Sequence, residues 1–482
     1  MISSVVCTSI NKNFYLYDDC HKLSMLIHPE LAKFHDISSI NINSYYERKY
    51  AYLKKYGFFA KYENVNIATT VDESLIQNGI NQTRQIVYEV TGSCNLKCSY
   101  CVLGDFYESF DERNGKNIDI NNAIKILKYI LELKRRNNET RLTISFYGGE
   151  PLLNINFIKQ IVNTVNELNS KKEMDIDFMM TTNATLIHDY VPFLVENNFS
   201  LLISLDGNEE NDSYRLFRKN GKGSFQTVID NMDMIQKEYP DYFDNNIDFN
   251  AVLHNRNSVK DIYEFIYGRY KKNPRIAELM IDYINHNKKD IFGKMFHSKK
   301  NSETEFYEEH PELLDKMHNE SLLFGELIDF IKYYSVNSYV SNATSLLKDE
   351  EIYFPTNTCI PFSKKIFVTN QNKLLPCEKI SHKYSMGEIN ENVIINTSEI
   401  ARQFSSYYEH MQKVCQYCYV HRFCGMCMYR LRNLDSSDGN KIACYNFHDE
   451  KKFQIKLSRI FSFIEKYPND LFQVLEDVII TI

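Results

Sequence analysis

The sequence lacks any run of apolar residues near the roughly 18 that a membrane-spanning helix needs. Its first residues, MISSVVCTSI, lack the basic-then-apolar pattern of a secretory signal peptide. It also lacks an excess of positive charge, since the net charge is −7, which argues against broad binding to nucleic acids or anionic membranes. We therefore expect a cytoplasmic protein with neither a nucleic-acid nor a membrane partner.

A fourth cysteine is lacking beside a conspicuous group of three. Cys94, Cys98 and Cys101 stand at the spacing C-x3-C-x2-C, and the next cysteine along the chain is Cys359. Thiolates at close quarters select iron–sulfur clusters, zinc or Cu(I). A tetrahedral zinc or a cubane cluster that the protein encloses fully usually has four protein ligands. Either a distant residue completes this site, or its fourth position is left for a group that is not protein. A zinc knuckle and a structural cluster are the alternatives to a site with an open fourth position.

The other cysteines fall mainly in one later region. In the reducing cytoplasm, twelve cysteines indicate metal ligands rather than disulfides. One tetrahedral zinc would use four of the later seven and leave three, whereas two clusters accommodate all seven if one cluster has three protein ligands. These seven are Cys359, Cys377, Cys415, Cys418, Cys424, Cys427 and Cys444. Cys7 and Cys20 stand apart, and we interpret them as ordinary thiols.

Strands and helices alternate between residues 85 and 290. Six such repeats predict a parallel sheet or barrel with right-handed crossovers, two repeats short of a closed eight-stranded barrel. The predicted strands are Gln85–Val90, Arg141–Tyr147, Ile176–Thr181, Leu201–Leu205, Ile247–Leu253 and Ile276–Tyr283. The predicted helices are Asn121–Lys134, Ile155–Leu168, Leu186–Glu196, Phe225–Lys237 and Val259–Tyr270.

Polar motifs follow the first four of these strands, at the end where ligands bind in α/β folds. The cysteine loop follows the first strand, Gly148-Gly149-Glu150-Pro151 the second, Thr182-Asn183 the third and Ser204-Leu205-Asp206-Gly207 the fourth. A carboxylate such as Glu150 can accept charge-assisted hydrogen bonds from an amino group held beside a cluster. Its alternative role is that of a helix N-cap partner.

The loop CNLKCSYC, with the aromatic Tyr100 before its last cysteine, resembles the cluster loop of radical S-adenosylmethionine (SAM) enzymes, and the strand-end motifs follow in that family's order. The resemblance implies a [4Fe–4S] cluster on Cys94, Cys98 and Cys101 whose open iron is chelated by SAM. It implies that a reductant such as flavodoxin or ferredoxin supplies an electron, and that SAM then splits into methionine and a 5′-deoxyadenosyl radical. The SAM contacts that it implies are Tyr100, Gly148, Gly149, Glu150, Pro151, Asn183, Ser204, Asp206 and Arg215.

The later cysteines resemble the SPASM domain of radical SAM peptide maturases, which has two auxiliary [4Fe–4S] clusters. Asn372 replaces a glycine of that pattern but tolerates the same left-handed turn, and the Cys424–Cys427 spacing is one residue short. The resemblance implies an outer cluster on Cys415, Cys418, Cys424 and Cys444, and an inner cluster on Cys359, Cys377 and Cys427. The inner cluster either keeps an open iron for a substrate thiolate or takes a fourth ligand from elsewhere.

Glu378 directly follows Cys377, at the position where sulfatase-maturing relatives place an acidic general base. The resemblance thus implies that this carboxylate is catalytic. A surface ion pair with Lys379 or Lys383 is the alternative.

The complete expected architecture is an α/β fold: a partial (β/α)6 radical SAM barrel over 85–290, with an added domain on each side. Residues 1–80 predict a hairpin of Asn13–Tyr17 and Leu23–Ile27 and two helices, at Pro29–His35 and Tyr45–Tyr56. This winged-helix-like α+β unit resembles the leader-peptide recognition domain, with a simple cap as the alternative. The remaining predictions are a linker over Glu73–Arg84, a connector over 291–350 with helices Pro311–Asn319 and Leu322–Ser335, a cysteine-rich SPASM domain over 351–450, and C-terminal helices over 451–482.

Taken together, the resemblance implies a maturase that installs an intramolecular cross-link in a ribosomally synthesised precursor peptide with a leader sequence. A thioether from cysteine is preferred, as in sactipeptide- and ranthipeptide-like maturases. The alternatives are a carbon–carbon or ether cross-link, an epimerised residue, or a sulfatase-type formylglycine maturase. The non-enzymatic alternative is an iron–sulfur electron-transfer protein.

Overall fold

A computed structural model describes residues 2–36, 44–59, 61–62, 67–108, 115–310, 322–335, 354–436 and 442–469. Contacts divide the chain into two compact units. The first unit comprises Met1–Val71, Leu314–Thr358 and Gln403–Ile482, and the second comprises Asp72–Leu313 and Cys359–Arg402. No helix within the described ranges has both the length and the apolar character needed to cross a membrane.

The strands and helices are numbered along the chain. The strands are β1 (Ile2–Ser3), β2 (Val5–Thr8), β3 (Phe14–Asp18), β4 (Leu23–Ile27), β5 (Lys61–Tyr62), β6 (Gln85–Thr91), β7 (Arg141–Gly148), β8 (Asp175–Thr182), β9 (Ser200–Ser204), β10 (Ile247–Leu253), β11 (Arg275–Glu278), β12 (Ile366–Val368), β13 (Lys373–Leu375), β14 (Gly387–Ile389) and β15 (Val393–Ile395).

The helices of the described ranges are numbered in the same way. They are α1 (Pro29–Ala32), α2 (Tyr45–Lys55), α3 (Glu73–Asn81), α4 (Ile120–Arg136), α5 (Ile155–Leu168), α6 (Val191–Glu196), α7 (Phe225–Glu238), α8 (Pro240–Asn246), α9 (Val259–Tyr270), α10 (Lys289–Met295), α11 (Lys299–Glu309), α12 (Leu322–Tyr334), α13 (Thr397–Cys415) and α14 (Glu450–Lys466). The predicted helix Pro311–Asn319 lies outside the described residues.

The second unit is built on a sheet in which β6 to β11 are all parallel, in the order in which they occur along the chain. The six predicted strands are therefore confirmed. Helices follow or precede these strands and bury one apolar face, as Ile126, Leu127 and Ile130 of α4 show. Because the strands are parallel, their carboxyl ends meet at one edge and bring the loops after them together.

The same sheet continues beyond β6, which the sequence did not predict. The order is β6-β12-β13-β14-β15, with β12 parallel to β6 and the remaining pairs antiparallel. These strands have only three residues each, too few to show a clear alternation of apolar and polar side chains. The turn between β12 and β13 contains Asn372 at φ +65°, the left-handed conformation expected for this residue.

Two predicted boundaries in this unit were wrong. Residues 73–84 were expected to be a linker, but Glu73–Asn81 form α3, whose first turn is capped by the Asp72 side chain accepting from Leu75 N at 2.8 Å. Ile76 and Ile80 are fully buried, so apolar spacing outweighed the polar composition. The sixth strand ends at Glu278 rather than at Tyr283, because the chain then turns and Tyr283 O accepts from Glu108 N at 2.7 Å.

The first unit contains the predicted hairpin as β3 and β4, with β2 added on the other side of β3. Alternate residues of this antiparallel sheet point to opposite faces. One face, with Leu16 and Ile27, packs on Leu31 of α1 and Tyr50 of α2. The opposite face packs on α12 and α14 through a buried cluster that includes Val5, Cys7, Tyr17, Phe330, Phe453 and Phe461.

Candidate active site and cysteine clusters

The cysteine loop after β6 is held by the chain that follows β9. Lys97 N donates to Leu216 O at 2.7 Å, and Arg218 N donates to Asn95 O at 2.8 Å. These backbone bonds fix the loop from both sides, and Cys94, Cys98 and Cys101 are each half-buried on it. The three thiols therefore share one small region at the carboxyl end of the sheet.

The two glycines after β7 allow a close approach to the base of this loop. Gly148 adopts φ +124°, and a Cβ there would lie 2.6 Å from Thr91 O. A Cβ on Gly149 would lie only 1.9 Å from Ser93 O. Gly149 N and Glu150 N also donate to the carbonyls of Thr91 and Ser93, at 2.8 and 2.9 Å. These glycines are thus needed for packing on the cysteine loop, and their contact with SAM stays a prediction.

Glu150 is 1% exposed and accepts hydrogen bonds from three groups of the protein. Thr182 Oγ1 donates at 2.7 Å, Asn183 N at 2.8 Å and Leu152 N at 3.1 Å. The Leu152 bond makes Glu150 the N-cap of a 3-10 turn that begins at the buried Pro151. Burial raises the pKa of Glu150, and the three donors oppose that rise. A carboxylate has about four acceptor positions, so one remains for a cation such as an amine.

Asn183 connects the end of β8 to the cysteine loop. Its side-chain Nδ2 donates to Asn95 Oδ1 at 2.9 Å and approaches Cys94 Sγ at 3.8 Å. Its Oδ1 accepts from Thr185 Oγ1 at 2.6 Å, which fixes the amide orientation. The amide group therefore supplies an N–H near a cysteine sulfur, the kind of contact that tunes a thiolate-bound metal centre.

Asp206, Arg215 and Tyr100 form one buried network after β9. Arg215 Nη2 and Nε donate to the two oxygens of Asp206 at 2.8 and 3.0 Å, Val252 N donates at 2.9 Å, and Tyr100 Oη donates as well. Burial disfavours ionisation of Asp206, but Arg215 and these hydrogen bonds hold its pKa below the ordinary value. Four donors fill a carboxylate, so the geometry favours a positioning role for Asp206 over direct SAM contact. Ser204 is half-buried at the end of β9.

Asp212 is a buried residue of this network that the sequence did not single out. Its Oδ1 lies 3.3 Å from Arg215 Nε and accepts from Asp206 N, whereas its Oδ2 has no hydrogen-bond partner in the described part of the chain. One guanidinium thus serves two carboxylates. Burial, with the charge of Asp206, raises the pKa of Asp212 to about 8, although Arg215 opposes the rise.

The raised pKa of Asp212 should make its contribution to stability fall as the pH rises from about 4 to about 8. The folded state holds the Asp212 proton more tightly than the unfolded state, so its contribution is complete below pH 4 and is lost towards pH 8. We expect Asp212→Asn, which cannot ionise, to reduce the difference in unfolding free energy between these pH values by about 1 kcal/mol or more. Urea unfolding at several pH values measures it. The exposed Asp244→Asn should leave the profile unchanged, and an unchanged profile in Asp212→Asn would contradict the assignment.

His254 is a second residue that sequence reasoning missed. It follows β10 directly, is fully buried and stacks on Tyr100 with ring centroids 5.7 Å apart. Its Nδ1 accepts from Arg256 N at 3.1 Å, and its Nε2 lies 3.7 Å from Asp206 Oδ2. The segment HNRN after a buried strand was the available signal, because the same reasoning had identified the first four strand ends.

The donor set of the cysteine loop fits an iron–sulfur cluster. Cys98 is close enough to Cys94 and Cys101 for their charges to affect it, and burial raises the pKa of Cys98 to about 12. A thiol in this environment ionises when it binds a metal centre. In the described ranges no three His, Cys, Asp or Glu side chains are placed to hold a single metal ion.

Glu378 lies beside Cys377 in the second unit. Its oxygens are 3.1 and 3.2 Å from Lys365 Nζ, and one of them is 3.7 Å from Cys377 Sγ. The ion pair is thus formed with Lys365, rather than with Lys379 or Lys383 as the alternative interpretation supposed. Burial, followed by the charge of Glu378, raises the pKa of Cys377 to about 12.

In the first unit, a cavity is lined by Cys415, Cys418, Cys424 and Cys444. These are the four residues that the sequence assigned to the outer auxiliary cluster. His448 N donates to Cys418 Sγ at 3.4 Å, and burial raises the pKa of Cys424 to about 11. Four thiols around one cavity are a donor set suited to a [4Fe–4S] cluster.

The three residues assigned to the inner cluster are divided between the units. Cys359 and Cys377 belong to the second unit, and Cys427 belongs to the first. Their joint ligation of one cluster therefore stays a prediction.

Comparison with known proteins agrees with this geometry. Residues 88–266 match the model of the Radical SAM superfamily, a range that includes every strand-end motif described above. The cysteine-type anaerobic sulfatase-maturating enzyme of Clostridium novyi (strain NT) is 32% identical over 190 residues, which are 39% of this chain and 47% of that enzyme. The radical SAM cyclopropyl synthase TigE of Paramaledivibacter caminithermalis is 28% identical over 179 residues, 36% of each chain. The chain thus spans about half the length of these curated relatives, or less.

A solved structure, histidine-tagged anSMEcpe with bound AdoMet, superposes with a TM-score of 0.52 over 82% of this chain and 99% of that protein. At 20% identity this similarity shows the fold alone. The family match covers the loop that carries the three cysteines and the strands β7 to β10. Residues 88–266 of this chain therefore form a domain of the radical SAM superfamily.

Proposed function

We propose that this chain is a radical SAM peptide maturase whose product is an intramolecular thioether in a ribosomally synthesised precursor peptide. The observation that carries the proposal is the three-thiol loop fastened to the ends of β7 and β8, within a radical SAM domain. The second support is a separate cavity lined by four thiols, since a second cluster suits the removal of an electron from a substrate.

When bound to a reduced [4Fe–4S] cluster, SAM would supply the radical chemistry that removes a hydrogen atom from the peptide. The residues of this chain hold that chemistry in place. Cys94, Cys98 and Cys101 would bind the cluster, and Glu150 offers the acceptor position that remains on its carboxylate to the SAM amine. Asn183 steadies the loop from β8. The buried strand ends exclude water from the reacting groups.

Formation of the proposed thioether removes one proton, one hydrogen atom and one electron from the peptide. A substrate cysteine loses its S–H proton and a carbon of the same peptide loses a hydrogen atom to the radical. The carbon–sulfur bond would then form with release of one electron, which a cluster held by the auxiliary cysteines would be able to accept. We assign the acceptance of this proton to Glu378, and its contact with Cys377 Sγ at 3.7 Å supports the assignment.

A sulfatase-type maturase is the second candidate, because the Clostridium novyi relative is an enzyme of that kind. The three-stranded sheet of the first unit favours a precursor peptide instead. Strand β4 forms the outer edge of this sheet, and its Leu23 and Leu26 are 37% and 65% exposed. An edge of this kind can receive an extended peptide as a further strand, with main-chain hydrogen bonds giving affinity.

The edge interpretation predicts that Leu26→Asp weakens precursor binding. A charge placed beside the added strand should raise the dissociation constant about tenfold, because the apolar contact is lost. Fluorescence anisotropy with the labelled precursor measures it. Ile10→Asp is a matched control, because Ile10 is 79% exposed in the turn between β2 and β3. Equal affinities for both variants would exclude β4 as the binding edge.

The function itself is tested with candidate precursor peptides taken from the reading frames that neighbour this gene. Anaerobically reconstituted protein should hold about twelve irons, the number for three clusters. With SAM and a reductant, it should convert a cysteine-containing peptide to a product lacking two hydrogen atoms and without a free thiol. Mass spectrometry with thiol alkylation reads both changes. A sulfatase peptide whose cysteine becomes formylglycine would instead establish the second candidate, and about four irons would contradict the auxiliary clusters.

A further inference from the structure

The turn between β3 and β4, residues 18–22, is unusually buried for a hairpin turn. Asp18, Asp19 and Lys22 are 0%, 7% and 4% exposed. Charged side chains are almost never buried to this extent unless they are paired. The partner of Asp19 therefore identifies what this turn contacts.

That partner lies between two of the cluster cysteines. Arg422 Nη2 is 3.1 Å from Asp19 Oδ2, while Lys22 Nζ is 3.6 Å from Asp19 Oδ1 and Tyr17 Oη donates to it at 2.7 Å. Arg422 belongs to the 3-10 turn His421–Phe423, in the short loop that connects Cys418 to Cys424. Asp19 thus contacts the loop that presents these two thiols to the four-cysteine cavity.

The loop is connected inward as well. His421 lines the four-cysteine cavity, and its Nδ1 lies 3.0 Å from Cys418 O. Cys418 and Val420 share a buried cluster with Val5 and Tyr17 of the N-terminal sheet. Polar and apolar contacts therefore both join this sheet to the same few residues of the cysteine loop.

The helix that follows Cys444 also contacts the N-terminal sheet. Helix α14 begins just after Cys444, and it stacks Phe461 on Tyr15 of β3 with ring centroids 4.2 Å apart. Glu465 of α14 accepts from Tyr15 Oη at 2.7 Å and from Asn13 Nδ2 at 2.9 Å. The N-terminal sheet thus contacts both the loop from Cys418 to Cys424 and the helix that follows Cys444.

We infer that Asp19 is a positioning residue for the cluster bound by Cys415, Cys418, Cys424 and Cys444, acting through Arg422. The N-terminal sheet is then part of this cluster site as well as a candidate peptide-binding surface. The inference rests on the proposed cluster at these four cysteines. A support of this kind sets the geometry and the retention of a metal centre without contacting it.

The test uses the full chain with Cys94, Cys98 and Cys101 replaced by Ala, so that only auxiliary clusters can form. This parent should hold about eight irons after anaerobic reconstitution. In Asp19→Asn, a chelator should extract about four of them at least tenfold faster than in the parent. The electron paramagnetic resonance signal of the affected cluster should change with it.

Asp18→Asn is the matched control. Asp18 is buried in the same turn but contacts Ser4 and His21, so its loss perturbs the sheet without touching Arg422. It should release iron at the parental rate, and exchanging the charges in Asp19→Arg with Arg422→Asp should restore slow release. If Asp19→Asn does not fold, Arg422→Lys keeps the charge and should show the faster release.

Parental iron release in Asp19→Asn and Arg422→Lys would overturn the inference. So would equal acceleration in Asp18→Asn and Asp19→Asn, because the turn would then act through general stability. A parent without iron would overturn the auxiliary clusters and this inference together, whereas deoxyadenosine formation by the wild-type chain would still support the radical SAM site.

Discussion

Replacing Cys94, Cys98 and Cys101 together by Ala should abolish deoxyadenosine formation from SAM. Without these thiols the loop after β6 offers no ligand for a cluster, so no electron reaches SAM. Iron should fall by about four per chain, from about twelve to about eight, while the auxiliary signals persist. High-performance liquid chromatography of the nucleoside products, together with iron analysis, measures both changes.

The control for this triple variant is Cys20→Ala, which removes an exposed thiol of the first unit. It should retain full iron content and full deoxyadenosine formation. Deoxyadenosine formation by the triple variant would falsify the assignment of the cysteine loop after β6 as the SAM-cluster site. A loss of all irons would instead contradict the auxiliary clusters, because their proposed ligands are unchanged in this variant.

Arg215→Met should be among the most destabilising single substitutions in the barrel. Arg215 is 6% exposed and is the guanidinium shared by Asp206 and Asp212. Its removal leaves Asp206 buried without a counter-charge, for which the usual cost is about 3–5 kcal/mol of unfolding free energy. Tyr100 also donates to Asp206, so the cysteine loop should loosen as well. Denaturant unfolding and the rate of iron release measure the two effects.

A second variant separates the buried charge from the lost packing. Asp206→Asn combined with Arg215→Met removes both ionised groups, so it should be less destabilised than Arg215→Met alone. Arg256→Met is the surface control, because its exposed guanidinium lies 3.9 Å from the Tyr214 ring centroid and should contribute below about 1 kcal/mol. If Arg215→Met and Arg256→Met lower the free energy of unfolding by the same amount, the buried network is not what stabilises this strand end.

The contacts of the first unit also decide how peptide binding should be tested. Removing residues 1–80 would delete the strands that pack on Cys418 and on α14, as well as the proposed peptide edge. A truncated chain that lost iron would therefore say nothing about the peptide. Leu26 is 65% exposed and belongs to neither of the two buried clusters of this unit, so its substitution tests the edge of β4 separately.

Much of the barrel could be predicted because its signals are local. Six strands were identified from short apolar runs, and the parallel order followed from the helices between them. Asn372 was expected in a left-handed turn and has φ +65°. The capping role of Glu150 was also foreseen as an alternative, since an acidic residue before a proline often begins a helical turn.

Only the tertiary structure decided which buried charges share partners. The separation along the chain is 403 residues for Asp19 and Arg422, and no spacing rule connects them. Asp212 looked like one more polar residue in a loop until the fold placed it against Arg215. The short strands β12 to β15 could not be predicted because three residues show no period. Strand β12 pairs with β6, and each of the other three pairs with the strand before it.

The sequence by itself determined that the cysteine loop after β6 is a three-thiol site, because ligand type and spacing are local properties of the chain. It determined the strand-end motifs for the same reason. The folded structure decided what holds that loop, namely the N–H groups of Gly149 and Glu150, the Asn183 amide and the Asp206–Arg215 network. It decided this because hydrogen bonds and charge pairs in a low-dielectric interior depend on which distant side chains are buried together.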